Sequence, residues 1–97
     1  MTGLINPLKQ KLAAGKPIIG TAVTMPSPQL MQSLVECGFD WLMIDLEHGP
    51  ISPESTHGMV IATMASDCVP VARLPSGEKW MAKMALDAGV LGLFFPL

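Results

Sequence analysis

Apolar positions arrive along this chain in short blocks, and the blocks alternate between helical and extended spacing. Asn6-Pro7 offers a cap and a proline at the first helical position; Leu8 and Leu12 then share a face and Gly15 provides a stop. Pro17 to Val23 reads as a short buried strand. Ser27-Pro28 restarts a helix that carries Leu30, Met31, Leu34 and Val35 on one face and ends at Gly38. Trp41 to Ile44 is the second expected strand. Ser52-Pro53-Glu54 opens a helix with Val60, Ile61 and Met64 turned inward, and Val69 to Leu74 forms a third strand. Ser76 is placed to cap a helix carrying Trp80, Met81, Met84, Ala85 and Ala88, closed by Gly89. A fourth strand spans Val90 to Phe95.

The strands recur at steps of about 20–30 residues with one helix inside each step, which argues for parallel strands joined by helical crossovers. They are near-continuous apolar runs, the pattern of strands buried on both faces. Thr24-Met25-Pro26-Ser27-Pro28 stands where a dinucleotide-binding fold would carry its glycine-rich turn, so that fold is disfavoured. The expected class is α/β, a partial (β/α)8 TIM barrel of about four strands. A complete barrel needs about 250 residues. The 97 residues are therefore expected to form the N-terminal part of a single truncated barrel domain, 1–97.

Composition sharpens this picture. The chain is 49% hydrophobic and 14% charged, with a mean hydropathy of +0.43, against about 25% charged for an average soluble domain. Elements so greasy expect partners on several sides, either the remainder of a fold or a neighbouring subunit. Net charge is −2 with no basic run, which gives nucleic acid no electrostatic footprint. No apolar stretch reaches the roughly 18 residues of a membrane span. Met1 to Gln10 lacks the layout of a secretion signal, so a cytoplasmic location is the default expectation. Cys37 and Cys68 have no metal-type spacing and are expected to be inert buried thiols.

In parallel α/β folds, chemistry gathers just beyond the carboxyl ends of strands. After strand two comes Asp45-Leu46-Glu47-His48-Gly49-Pro50, two carboxylates and an imidazole within four residues. Asp45 and Glu47 alternate along an extended segment and are expected to point the same way. Together with the histidine they could hold a cation and its waters or move a proton. The blander alternative is a polar loop in which Asp45 caps local backbone N–H groups. Arg73 ends an otherwise apolar strand and suits a bidentate clamp on a carboxylate; a structural ion pair to Asp45 or Glu47 is compatible with that role. His57 falls opposite the apolar face of its helix and is expected to be solvated. The eight Met residues fall mostly at core spacing. No lysine lies mid-strand, so an imine-forming lysine inside a barrel is not supported.

The run Gly38-Phe39-Asp40-Trp41-Leu42-Met43-Ile44-Asp45-Leu46-Glu47-His48-Gly49-Pro50 closely resembles the HpcH/HpaI aldolase family, the 4-hydroxy-2-oxoheptanedioate aldolase type. Val71-Ala72-Arg73, Leu86-Asp87-Ala88-Gly89 before a strand ending in Pro96, and Gly15-Lys16-Pro17 to Gly20 also match. The resemblance implies a class II aldolase, a lyase that cleaves or forms 4-hydroxy-2-oxoacids from pyruvate and an aldehyde, with Mg2+, Mn2+ or Co2+ stabilising the enolate. Carried over, His48 moves the proton and Arg73 binds the carboxylate and oxo oxygens of pyruvate. Asp45 and Glu47 hold metal-bound water, and Asp87 matches the partner of the catalytic histidine. Asp87 sits at a helix end awkward for reaching His48 within one chain, and a neighbouring subunit of a homo-oligomer could supply it. The family's direct metal ligands, a Glu and an Asp on later strands, match no residue here. Phe94-Phe95 also departs from the aliphatics usual in the family. The chain alone is therefore expected to be inactive.

Two alternatives stay open: a non-catalytic half-barrel that self-associates or docks on a full-length paralogue, and a small α/β domain that binds a ligand without catalysis.

Overall fold

The computed structural model describes residues 6–97. Four helices and four strands alternate: α1 (Pro7–Ala13), β1 (Gly20–Val23), α2 (Pro28–Glu36), β2 (Trp41–Asp45), α3 (Pro53–Ile61), β3 (Val69–Arg73), α4 (Lys79–Asp87) and β4 (Gly92–Phe94). The strands form one parallel sheet in the order β1-β2-β3-β4. This is the expected α/β architecture, arranged as in the opening half of a (β/α)8 barrel.

The helices begin where side-chain caps and prolines dictate. Asn6 accepts from the N–H groups of Leu8 and Lys9, Ser27 from Leu30 and Ser52 from Ser55, each ahead of a proline in the first turn. Helix α4 differs from expectation. Its cap position is Glu78, which makes no side-chain cap bond, while Ser76 accepts weakly from the Glu78 N–H and donates to the Met81 sulfur. The hydroxyl lies two residues upstream of the cap position and makes no bond to the first-turn amides.

Alternation within the strands sorts the core into two faces. Leu42 and Ile44 of β2 and Ala72 of β3 point to the helices, where Val23, Met31, Met59, Val60, Leu74, Ala85 and Val90 complete the main core. Met43, Val69 and Val71 point the other way and pack with Trp41 and with Leu8 of α1. Strands β2 and β3 are buried almost throughout, whereas β1 and β4 are less so. The expectation of two-sided burial therefore holds for the central pair only, because each outer strand has a partner on one side.

Several residue-level expectations need correction. In α3 and the turn that follows it, Ile61 and Met64 face solvent, and Thr56, Met59, Val60 and Thr63 form the inward stripe. Positions 56, 59, 60 and 63 follow the helical period; 61 lies a further 100° round the axis. Trp80 and Leu12 are also exposed. Cys68 is buried but Cys37, at the end of α2, is exposed. Strand β1 starts at Gly20 instead of Pro17. Ile19 is tied to Asp40 instead, donating its N–H to that carboxylate at 2.9 Å and accepting from the Asp40 N–H at 2.7 Å. Strand β4 shrinks to three residues, although Leu91 still donates to the Pro70 carbonyl.

Two contacts lie at the start of β1 and β2. The ring of Trp41 lies against Gly20, where a Cβ would come within 1.9 Å of it, so only glycine fits. Lys11 of α1 pairs with Asp40 just before β2, and that ammonium holds the Asp40 carboxyl below its ordinary range.

Candidate active site at the carboxyl ends of β2 and β3

The in-register pairing of β2 with β3 places Asp45 beside Arg73, each the last residue of its strand. Paired residues in a parallel ladder project to the same face, here the face away from α2, α3 and α4. The two side chains meet there. Arg73 donates from Nε to Asp45 Oδ1 at 3.2 Å and from Nη2 to Oδ2 at 2.5 Å, a two-pronged ion pair.

After Asp45 the backbone leaves the strand and turns over Leu46 to His48. Asp45 holds that turn as well: its Oδ1 accepts the N–H groups of Glu47 and His48, both at 3.0 Å. The Gly49 N–H closes the turn on the Asp45 carbonyl at 3.1 Å. Gly49 packs so closely on the end of β1 that a Cβ would lie 2.7 Å from the Asp45 carbonyl oxygen and 2.9 Å from that of Thr24. That glycine is a requirement of the site; the expected strand-end cluster gave it no role, although its place directly after His48 signals it.

Asp45 is only 1% exposed, and each of its oxygens is engaged. The Arg73 guanidinium, helped by the two turn amides, holds its carboxyl down at about 2 against the burial that pushes it up. The same pairing raises Arg73 above its ordinary value, so both groups stay charged. The capping reading and the ion-pair reading of these residues are thus both realised.

Glu47 and His48 complete the cluster. Glu47 Oε1 lies 3.5 Å from Arg73 Nε and 3.7 Å from His48 Nδ1. Arg73 Nη2 reaches His48 Nδ1 at 3.0 Å. The His48 side chain is 64% exposed and that of Arg73 32%, so the imidazole and one edge of the guanidinium face outward while Asp45 anchors them from beneath. Asp45 and Glu47 do converge on Arg73. Strand alternation is not the reason, because Glu47 lies in the turn.

Asp87 is not brought to this cluster. It ends α4 on the helical layer and borders a shallow depression between α3 and α4 with Pro53, Glu54, His57, Met84 and Ala88. His57 is exposed, as expected, and its Nδ1 lies 3.2 Å from the Ala88 carbonyl. Phe94, the register partner of Arg73, is half-exposed on the same face, its ring centroid 6.2 Å from that of Trp41.

The cluster does not constitute a cation site by itself. Asp45 is committed to Arg73 and the turn, Glu47 stands alone, and among the described residues no three His, Cys, Asp or Glu side chains converge as ligands. What the arrangement offers is a fixed cation whose remaining edge is shared only with an accessible imidazole. No helix among the described residues is long and apolar enough to cross a membrane.

Comparison with known proteins places this geometry. The family model HpcH/HpaI aldolase/citrate lyase matches residues 20–97. A hydroxypyruvate/pyruvate aldolase of Paraburkholderia phytofirmans is 37% identical over 98 residues, covering 99% of this chain and 38% of that protein. One from Agrobacterium fabrum is 41% identical over 92 residues, 95% of this chain and 35% of that protein. The crystal structure of a HpcH/HpaI aldolase/citrate lyase family protein from Burkholderia cenocepacia superposes with a TM-score of 0.88 at 36% identity, over 96% of this chain and 37% of that one. The chain spans little more than a third of the length of the curated relatives it matches.

Proposed function

Because the chain belongs to the HpcH/HpaI aldolase/citrate lyase family, we propose that its strand-end cluster is the donor-binding part of a pyruvate aldolase, a carbon–carbon lyase acting on 4-hydroxy-2-oxoacids. The observation that carries this reading is the pairing of a two-pronged Arg73–Asp45 clamp with His48 at 3.0 Å from the same guanidinium.

Each residue has a task in that chemistry. Asp45 consumes one fork of Arg73 and fixes its plane, so the guanidinium is oriented before the donor arrives. The exposed edge of Arg73 takes the carboxylate and oxo oxygens of pyruvate. His48, exposed at the surface beside Arg73, moves the proton of the aldol step. Glu47, with one oxygen unengaged, holds a water on the same side. Asp87 enters this scheme from a neighbouring subunit of a homo-oligomer, since its own chain keeps it away from His48. A divalent ion (Mg2+, Mn2+ or Co2+) belongs to the proposal as a cofactor whose direct ligands lie outside these 97 residues.

A half-barrel that acts by docking is the second reading. It is favoured by the exposed Phe94, Phe95 and Leu91 along and beside the outer strand β4.

A chimera separates the two. Residues 1–97 replace the matching segment of the Paraburkholderia phytofirmans hydroxypyruvate/pyruvate aldolase, and pyruvate release from a 4-hydroxy-2-oxoacid is followed with Mn2+ present. Retained cleavage that falls by about 100-fold or more in His48→Ala supports the aldolase reading. Retained cleavage indifferent to His48 and Arg73 overturns it.

A further inference from the structure

The guanidinium of Arg73 has five N–H donors and accepts nothing. Asp45 fills the fork formed by Nε and Nη2. The remaining Nη2 hydrogen goes to His48 Nδ1 at 3.0 Å. Nη1 has no partner among the hydrogen bonds and ion pairs of the described residues. Two consequences follow from stereochemistry alone. Since arginine only donates, Nδ1 of His48 must carry the lone pair, and the neutral ring therefore holds its proton on Nε2. Since one fork is already occupied, the only two-pronged edge left for an incoming carboxylate is Nη1 with Nη2, and one of its hydrogens is the one His48 holds.

We infer that Arg73 is a positioning residue for His48 as well as a substrate clamp: a carboxylate seated end-on takes the Nη2–H from His48 and frees Nδ1 for proton transfer only once the donor is in place. The inference rests on the pyruvate-donor reading and adds an order of events to it. Before binding, the imidazole is tethered with Nδ1 blocked. After binding, the tether passes to the carboxylate, and the ring is free to turn or to change tautomer. Asp45 stays on Arg73 in this exchange, its Oδ1 held by the turn amides and Nε and its Oδ2 by the other Nη2 hydrogen. Two carboxylate oxygens lie near the released ring edge, Asp45 Oδ2 at 3.6 Å from Nδ1 and Glu47 Oε1 at 3.7 Å, and only the Glu47 oxygen is free of a hydrogen bond to Arg73.

Imidazole and guanidinium nitrogen resonances of the 15N-labelled chain read this directly. His57→Gln assigns the two histidines. Without ligand, at a pH where the ring is neutral, His48 is expected to show an unprotonated Nδ1 and a protonated Nε2. Arg73→Lys, which keeps a cation beside Asp45 but has no fork, is expected to show a mixture of tautomers from the start. On titration with pyruvate, the Arg73 Nη and His48 Nδ1 signals should move together along one saturation curve. A free chain with Nδ1 protonated overturns the inference whatever the function of the chain. Arg73 signals that saturate while Nδ1 stays fixed overturn the exchange and leave the donor-binding reading standing. Arg73 signals unmoved by pyruvate overturn both.

Discussion

Asp45 and Arg73 are register partners at the last rung of β2 and β3, and the carboxylate meets the guanidinium through both its oxygens at 3.2 and 2.5 Å. The same carboxylate caps the turn that carries Glu47 and His48. One buried side chain therefore ties the strand ends, the clamp and the loop bearing the imidazole into a single unit.

Asp45→Ala removes all of these bonds and leaves a partly buried cation without its partner. Unfolding in urea should show a loss of about 3 kcal/mol relative to the parent chain. Asp45→Asn keeps an oxygen for the turn amides and should lose less. Equal losses in both variants would place the stabilisation in the charge alone and none of it in the turn.

Acid should reproduce part of that loss. The folded carboxyl of Asp45 sits at about 2, below its ordinary 3.8. The folded state therefore holds the proton less tightly than the unfolded chain. The corresponding stability is fully present above pH 3.8 and declines as pH falls towards 2, by about 2 kcal/mol in total. Urea midpoints measured across this window should fall for the parent and be flatter for Asp45→Asn. Parallel slopes would assign the acid sensitivity to other groups.

Much of the fold could be read from the chain because its punctuation is local. Asn6-Pro7, Ser27-Pro28 and Ser52-Pro53 each supply a cap and a first-turn proline, and each opens a helix. Ser76 misled because a hydroxyl near a helix start is a cap only within reach of the first-turn amides, and α4 begins two residues further on. The apolar runs at 17–23 and 90–95 exceed the outer strands for a related reason: apolar runs record burial, whereas strand length records ladder partners. At Ile19 the partner is a carboxylate, and no hydropathy pattern encodes that. The strand-end cluster was legible from Asp45, Glu47, His48 and Arg73, since parallel topology dictates where such groups collect. Which hydrogen of Arg73 each neighbour takes depends on angles that sequence spacing does not carry.

The two thiols should separate cleanly. Burial pushes Cys68 up to about 11, with the nearby Asp40 charge adding to it, whereas Cys37 is exposed at the end of α2. A disulfide reagent at pH 8 should label one thiol in the native chain and the second only on unfolding. Cys37→Ser should abolish the fast phase. Two fast phases would mean that the segment before β3 opens readily.

Gly20 tests the packing beneath the site. A Cβ at that position would enter the Trp41 ring, and the clash can be relieved only by moving Trp41 away from β1. Gly20→Ala should cost about 1–3 kcal/mol and shift the fluorescence of Trp41, observed in a Trp80→Phe background. Unchanged stability and emission would mean that the ring has an alternative place on that face.

The central claim is that His48 and Arg73 act together on a pyruvate donor, and the most direct test is exchange of pyruvate methyl protons in deuterated water. The chimera carrying residues 1–97 is assayed by NMR with Mn2+ and no aldehyde, so that only donor activation is seen. Exchange is expected, with His48→Ala and Arg73→Lys each slowing it by about 100-fold and the double variant no slower than either single one. Exchange at the parent rate in both single variants would contradict the proposed roles of the imidazole and the guanidinium.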